Sequence, residues 1–181
     1  MFKRLLHGPL NRFEREFDYD MSYGREILDA DLGAFLKFGL LTPFVEHRRD
    51  VPAEAYYAAK LLGTMSEDCG PCTQLVVKMA ERDGVSAEVL RAVLARKPDS
   101  LPVDAQLGYR FAEASLAHSA AADELREAVT HRWGRRGLVS LSFALVAARI
   151  FPTLKYALGH GKTCVRVSVG GQAQPVQKPS A

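Results

Sequence analysis

The sequence has few cysteines, little net charge and no long apolar runs. Its 181 residues include 3 cysteines, too few for a secreted disulfide framework, so we expect a reducing, cytoplasmic compartment. A net charge of +3 is too weak to indicate nucleic acid. No run reaches the roughly 20 apolar residues of a membrane span, and residues 1–10 lack the apolar region of a signal peptide. We therefore expect no nucleic acid or membrane partner.

Strand signals are nearly absent as well. Only residues 164–169 alternate apolar and polar side chains with period two. Because one strand makes no sheet, we expect this segment to be an extended tail or an edge. Residues 170–181 are rich in Gly, Gln and Pro, so we expect them to be disordered.

The dominant pattern is helical, which predicts an all-α fold. Cys72, Leu75, Val76, Met79 and Ala80 form one apolar stripe of a helix. Helices are predicted over 52–65, 72–83, 86–96, 103–117, 120–133 and 139–151. We expect Gly134 and Gly137 to bracket a turn and Pro152 to break the last helix.

Upstream, residues 26–46 are predicted to be helical with interruptions at Gly39 and Pro43, and the first 20 residues alternate aromatic and charged types. This indicates three segments. They are an N-terminal helical extension (1–50), a helical core (51–162) and an extended or disordered tail (163–181).

Cys69 and Cys72 are three positions apart at the start of a predicted helix. This spacing permits a reversible disulfide, and the free N–H groups and positive dipole end of the helix stabilise a thiolate. Pro71 suits the first turn because its missing N–H would be unpaired anyway. Cys-Gly-Pro-Cys is also the thioredoxin tetrapeptide, but there the motif follows a strand, whereas here a helical pattern precedes it.

Two other interpretations of the cysteines remain open. Both could be inert core residues, because free cysteine is commonly buried. Alternatively, Cys69 and Cys72 could bind zinc together with His160 and Cys164, since both spacings are chemically acceptable. Redox use is the interpretation we favour, with no metal and no cofactor.

The order of these features resembles a known family. A helical run leads into the cysteine pair, an apolar helix follows over 73–80, Gly84 and Val85 precede a short helix, and a long Ala-rich segment ends in an apolar helix. Over roughly residues 50–160 this resembles the carboxymuconolactone decarboxylase and alkylhydroperoxidase D superfamily. The resemblance implies an all-α, alkylhydroperoxidase D-like helical bundle assembled into trimers or hexamers, with a dimer as a further option. It also implies reduction of alkyl hydroperoxides by the cysteine pair, with a lipoyl-type dithiol as reductant.

Two positions depart from that family. Its peroxidases carry a histidine four residues after the second cysteine, where this chain has Val76, and a glutamate about twelve residues before the first, where it has Tyr57. The substitutes considered as proton acceptors are Glu67, Asp68, Glu54 and the histidines 118, 131 and 160. We take Cys69, Cys72, Glu67, Glu54 and Tyr57 as the candidate site.

The apolar stripe suggests how the two cysteines divide their roles. Cys72 faces this stripe next to Val76, and burial raises the pKa of a thiol. We therefore expect Cys69 to be the exposed attacking thiol and Cys72 to be the resolving thiol. In the family, by contrast, the second cysteine is usually the one assisted by the glutamate–histidine proton relay. A mixed disulfide trapped in Cys72→Ser but not in Cys69→Ser would support the roles expected here.

The function predicted is a thiol-dependent oxidoreductase that reduces organic hydroperoxides or exchanges disulfides. One alternative is a lactone decarboxylase-like enzyme, against which the cysteine pair counts, because that branch does not depend on it. Another is a non-enzymatic helical oligomer or redox sensor, which the missing histidine favours.

Overall fold

The computed structural model describes residues 2–162 and 166–177. Within these ranges helices dominate, and the strands are confined to one two-stranded hairpin. The all-α prediction is therefore confirmed. The buried apolar side chains form two clusters, one from residues 10–28 and one from residues 51–169.

The N-terminal region is a set of short helices: α1 (Phe2–Phe17), α2 (Ser22–Ala30), α3 (Leu32–Gly39) and α4 (Leu41–Val45). Asp31 separates α2 from α3 because its backbone is extended and its side chain accepts a hydrogen bond from the Ala34 N–H at 3.1 Å. Gly39 ends α3, as predicted. Pro43 was expected to interrupt a helix, but it lies in the first turn of α4, where no hydrogen bond is lost.

The core consists of α5 (Ala53–Ser66), α6 (Gly70–Arg82), α7 (Ala87–Leu94), a 3₁₀ turn (Pro98–Ser100), α8 (Val103–Leu116) and α9 (Ala121–Ala157). Helix α5 is central, because it contacts α6, α7, α8 and α9 and every residue from 55 to 65 is buried. A helix buried on all sides needs apolar or small residues all round, which the Ala- and Leu-rich sequence supplies.

Two glycines let the neighbouring helices approach α5 closely. A Cβ atom added at Gly108 of α8 would lie 2.4 Å from the carbonyl oxygen of Ala55. One added at Gly63 of α5 would lie 2.7 Å from the Cβ of Ala148 in α9. Both distances are well inside van der Waals contact, so these positions require glycine.

Helix α9 departs from the sequence prediction at two places. Gly134 has non-helical angles (φ 69°, ψ 178°) and kinks the helix, whereas Gly137, expected in the same turn, is helical and buried. Pro152 does not end the helix, which continues to Ala157. A proline inside a helix costs roughly 3 kcal/mol, and burial of the apolar Pro152 ring in the packed interior offsets part of that cost.

By length and composition alone, α9 could also cross a membrane. Its most apolar 18-residue window has a mean hydropathy of 1.7, and 44% of that window is buried inside the protein. The helix packs against α5 and α8, which accounts for part of its apolar composition. The expected absence of a membrane partner stays a prediction.

A hairpin lies beyond the helices. Strands β1 (Arg166–Val169) and β2 (Gln172–Pro175) pair antiparallel through Gly170 and Gly171, both with positive φ, as a two-residue turn requires. Val167 and Val169 are buried, and β1 contacts α6 and α7. The disorder expected from Gly170 onward is therefore wrong for this hairpin. Residues 163–165 and 178–181 lie outside the described part of the chain.

Candidate functional site

The cysteine pair lies at the N-terminus of α6, as the sequence predicted. Cys69 is the N-cap residue, with its Sγ accepting from the Cys72 N–H at 3.4 Å, and Pro71 occupies the first turn. The two sulfurs are joined as a disulfide, with Cα atoms 5.3 Å apart. When the disulfide is reduced, the free N–H groups of this first turn can stabilise a thiolate.

The two cysteines differ in their access to a cavity of about 600 Å³. Cys72 lines this cavity and is 4% exposed, whereas Cys69 is fully buried and does not line it. The expectation that Cys69 is the exposed thiol is therefore wrong. At the N-cap, Cys69 has its sulfur over the first turn of α6, and Cys72, the third residue of that turn, lies against the cavity.

The N-terminal extension forms much of the cavity wall, a role that the sequence did not reveal. The aromatic and apolar side chains that it contributes are Leu10, Phe13, Tyr19, Met21, Tyr23, Phe35 and Phe38. Opposite them lie Leu75, Val76 and Met79 of α6, with Ala148 and Phe151 of α9. The cavity is thus largely apolar and lies between the extension and the core.

A phenol and a buried amine are next to Cys72. The Tyr19 hydroxyl is 3.8 Å from the Cys72 Sγ, and the Lys155 Nζ donates to that hydroxyl at 3.3 Å. Lys155 is 2% exposed, and no ion pair in the described ranges includes it. Its ammonium instead lies over the rings of Tyr19 (4.6 Å) and Tyr23 (5.2 Å).

Burial sets the protonation of this group of residues. Desolvation lowers the pKa of Lys155, an effect that the negative charge of Asp20 partly opposes. Desolvation also raises the pKa of Tyr19 above its usual range, so its hydroxyl keeps its proton. Lys155 donates to the Tyr19 oxygen, so the phenolic proton can be directed either to the Cys72 sulfur or to the Tyr23 hydroxyl, with which Tyr19 also interacts.

A second buried lysine is among the residues that line the cavity. Lys60 of α5 is 7% exposed and lines the cavity. Its Nζ donates to the carbonyl oxygen of Val45 at 2.9 Å and to the Tyr56 hydroxyl at 3.5 Å. Desolvation lowers the pKa of Lys60 to about 8.

The structure does not bring the predicted acidic residues to the sulfurs. Glu67 accepts from Arg149 at 2.6 Å and from the Thr153 hydroxyl at 3.2 Å. Glu54 lies in the first turn of α5, and although Tyr56 and Tyr57 of the same helix line the cavity, Glu54 does not. Neither carboxylate lines the cavity.

Tyr57 lines the cavity at its polar end. Its hydroxyl donates to the Asp83 carboxylate at 2.9 Å, and the Arg48 guanidinium is 3.6 Å from the same carboxylate oxygen. Desolvation raises the pKa of Tyr57, and the Asp83 charge raises it further. Tyr57 and Cys72 therefore line the same cavity, but the Tyr57 hydroxyl is hydrogen-bonded to Asp83 rather than to a cysteine.

None of the described histidines lines the cavity. The Nε2 of His160 is 2.6 Å from Glu26, and its Nδ1 is 3.1 Å from the Ser22 hydroxyl. The described ranges contain no group of three residues able to hold a metal. The predicted zinc alternative depends on Cys164, which lies outside those ranges.

Sequence reasoning missed Tyr19 and Lys155 because neither is near the cysteines along the chain. Tyr19 lies 53 residues before Cys72, and Lys155 follows the proline that was expected to end its helix. One usable signal was a lysine between Leu154 and Tyr156 in an apolar segment, because such a lysine is seldom buried without a purpose.

The fold and site together define an all-α protein with a disulfide-forming cysteine pair that opens on an apolar cavity. Comparisons with protein-family models, with curated proteins and with solved structures found no match for this chain. The geometry of the site is therefore the basis for assigning a function to this chain.

Proposed function

We propose that the chain is a thiol-dependent oxidoreductase that reduces organic hydroperoxides, with Cys72 as the attacking thiol and Cys69 as the resolving thiol. The observation that carries this proposal is that Cys72 faces the cavity, with the Tyr19 hydroxyl 3.8 Å from its sulfur. This reverses the roles expected from the sequence.

Lys155 and Tyr19 can supply the proton transfers that the reaction needs. In the reduced protein, the Cys72 thiol gives its proton through the Tyr19 hydroxyl to the neutral Lys155 amine, and the lowered pKa of Lys155 makes this form accessible. The ammonium formed, together with the α6 N-terminus, stabilises the thiolate.

The chemistry then proceeds in two steps. The thiolate attacks the terminal oxygen of the hydroperoxide, so that an S–O bond forms, the O–O bond breaks and the alkoxide takes the proton back through Tyr19 to leave as an alcohol. Cys69 next attacks the Cys72 sulfenic acid, forming the disulfide and releasing water. An external dithiol, such as a lipoyl group, returns the two electrons and is itself oxidised to a disulfide.

The proposal includes membership of the alkylhydroperoxidase D-like superfamily. The helical hairpin of α5 and α6, with the cysteine pair at the start of α6, supports it. The family's glutamate and histidine are Tyr57 and Val76 here, and in this chain Tyr19 and Lys155 do the corresponding work from other elements.

A stopped-flow assay tests the proposal. Reduced protein is mixed with an alkyl hydroperoxide and dihydrolipoamide, and dithiol consumption is followed with time. We expect catalytic turnover that is lost in both Cys72→Ser and Cys69→Ser. One disulfide formed per chain, followed by no further consumption, would instead indicate the redox sensor, and no disulfide would indicate inert cysteines.

A further inference from the structure

Lys60 is a buried cation with only neutral hydrogen-bond partners. It uses two donors, on the Val45 carbonyl and the Tyr56 hydroxyl, and an ammonium has three. Glu46 and Asp83 act on it electrostatically, but neither forms an ion pair with it in the described ranges. Asp83 is already engaged by Arg48 and Tyr57.

Burying a charged group costs folding free energy unless a counter-ion pairs with it. Lys60 lines the cavity, so its remaining donor can reach a molecule bound there. A carboxylate pairs with an ammonium, and an organic carboxylate can bring an apolar chain into the cavity with it.

The rest of the cavity is suited to the apolar chain of such a carboxylate. Its volume of about 600 Å³ is within the range of small-molecule sites. Leu75 and Met79 line it on one side, and Phe13, Phe35 and Phe38 on the other. Each methylene buried there should tighten binding about fourfold.

We propose that the cavity binds an amphiphilic carboxylate, with the carboxylate paired to the Lys60 ammonium and the apolar chain packed among the aromatic side chains of the N-terminal helices. Lys60 and Cys72 line the same cavity, but binding of a carboxylate at Lys60 is a separate property, because it requires no electron transfer. The occupant of the cavity can therefore be identified on the oxidised protein, whether or not the hydroperoxide reaction proceeds.

Binding should depend on pH through Lys60. The groups that face it are Tyr56 and Tyr57 of α5, Glu46 and Arg48 after α4, and Arg82 and Asp83 at the end of α6. Of these, Tyr56 and Tyr57 have pKa values raised by burial, so they keep their protons as pH rises through 8. Lys60 is the group among them that loses its charge as pH rises through 8, so carboxylate binding should weaken above pH 8.

Calorimetric titration of the oxidised protein with decanoate and with 1-decanol tests the proposal. We expect decanoate to bind wild type, and Lys60→Met to weaken it about tenfold or more while leaving decanol unchanged. Lys97→Met, which removes an exposed lysine outside the cavity, should match wild type. Equal decanoate affinity in wild type and Lys60→Met, or no decanoate binding at all, would overturn the proposal.

A second measurement needs no variant. Decanoate affinity of the wild type should fall about tenfold or more between pH 7 and pH 9.5, whereas decanol affinity should stay level. A decanoate affinity that is level over this range would contradict the role of Lys60, even if Lys60→Met does not fold.

Discussion

At the scale of single residues, the site depends on two buried lysines that form no ion pair with a carboxylate in residues 2–162 and 166–177. Lys155 is hydrogen-bonded to Tyr19, whose hydroxyl is next to the Cys72 sulfur, and Lys60 lines the cavity that Tyr19 and Cys72 also line. Burial lowers the pKa of both. Such groups cost folding free energy, and they persist where their chemistry is needed.

The first prediction concerns Tyr19. Tyr19→Phe removes the hydroxyl that contacts Cys72, so the thiol loses a hydrogen-bond donor and its path to Lys155. In the reduced protein we expect alkylation of Cys72 by iodoacetamide at pH 7 to slow about tenfold. Tyr109→Phe, which removes a phenol of α8 outside the cavity, is the matched control. Equal rates in wild type and Tyr19→Phe would contradict the relay.

The second prediction concerns the stability cost of Lys60. Its pKa falls from 10.5 in the unfolded chain to about 8 when folded, which corresponds to about 3 kcal/mol of destabilisation at pH 7. Because the unfolded state binds the proton more tightly, this cost is fully present below pH 8 and disappears as pH rises to 10.5. Urea unfolding should therefore show Lys60→Met to be more stable than wild type at pH 7, with the difference shrinking by pH 10. A difference that does not change with pH would exclude this origin.

At the scale of helices and strands, features set by a few neighbouring residues were predictable from the sequence. Features set by long-range packing were not. Ser86 caps α7 through the Val89 N–H, so this helix begins where the sequence predicted a helix over 86–96. Pro152 misled because tertiary burial keeps α9 helical beyond it. The hairpin was readable from Gly170-Gly171 between two short runs, but the polar composition of β2 concealed the second strand.

The candidate site divides in the same way. The cysteine pair and its position at a helix start were predictable because the motif is local. Tyr19 and Lys60 were not, because they reach the cavity from the segment between α1 and α2 and from α5. Lys155 was not either, because it reaches Tyr19 from α9. Hydrophobic periodicity reports the faces of single helices and strands, so it does not indicate that these distant segments meet.

The third prediction tests how closely α8 packs on α5. Gly108→Ala would place a Cβ 2.4 Å from the Ala55 carbonyl oxygen, and backbone cannot yield as a side-chain tip can. We expect urea unfolding to show a loss of about 1–3 kcal/mol. Gly39→Ala, where a Cβ would meet nothing within 4 Å, should change stability little. Equal stabilities of the two variants would show that the contact is not tight.

At the scale of the whole molecule, the N-terminal helices close the cavity over the core. The cluster formed by residues 10–28 also packs against Leu75 and Met79 of α6 and Leu154 of α9. The extension is therefore part of the site, and the Tyr19 hydroxyl reaches the sulfur only through this packing.

The fourth prediction concerns assembly. Val139 and Val146 of α9 are 43% and 51% exposed, and the homo-oligomer expected from the sequence would bury such side chains. We expect sedimentation velocity to show an oligomer for wild type and a smaller species for Val146→Glu. Val103→Glu, at an exposed apolar residue on α8, is the control. A monomeric wild type at micromolar concentration would contradict the prediction.

The identity of the attacking sulfur is the claim on which the functional account depends. Reduced Cys69→Ser and Cys72→Ser proteins are each treated with one equivalent of alkyl hydroperoxide and dimedone, and the labelled residue is located by mass spectrometry. The account predicts a sulfenic acid adduct on Cys72 in the Cys69→Ser protein and none on Cys69 in the Cys72→Ser protein. An adduct on Cys69, with none on Cys72, would contradict it.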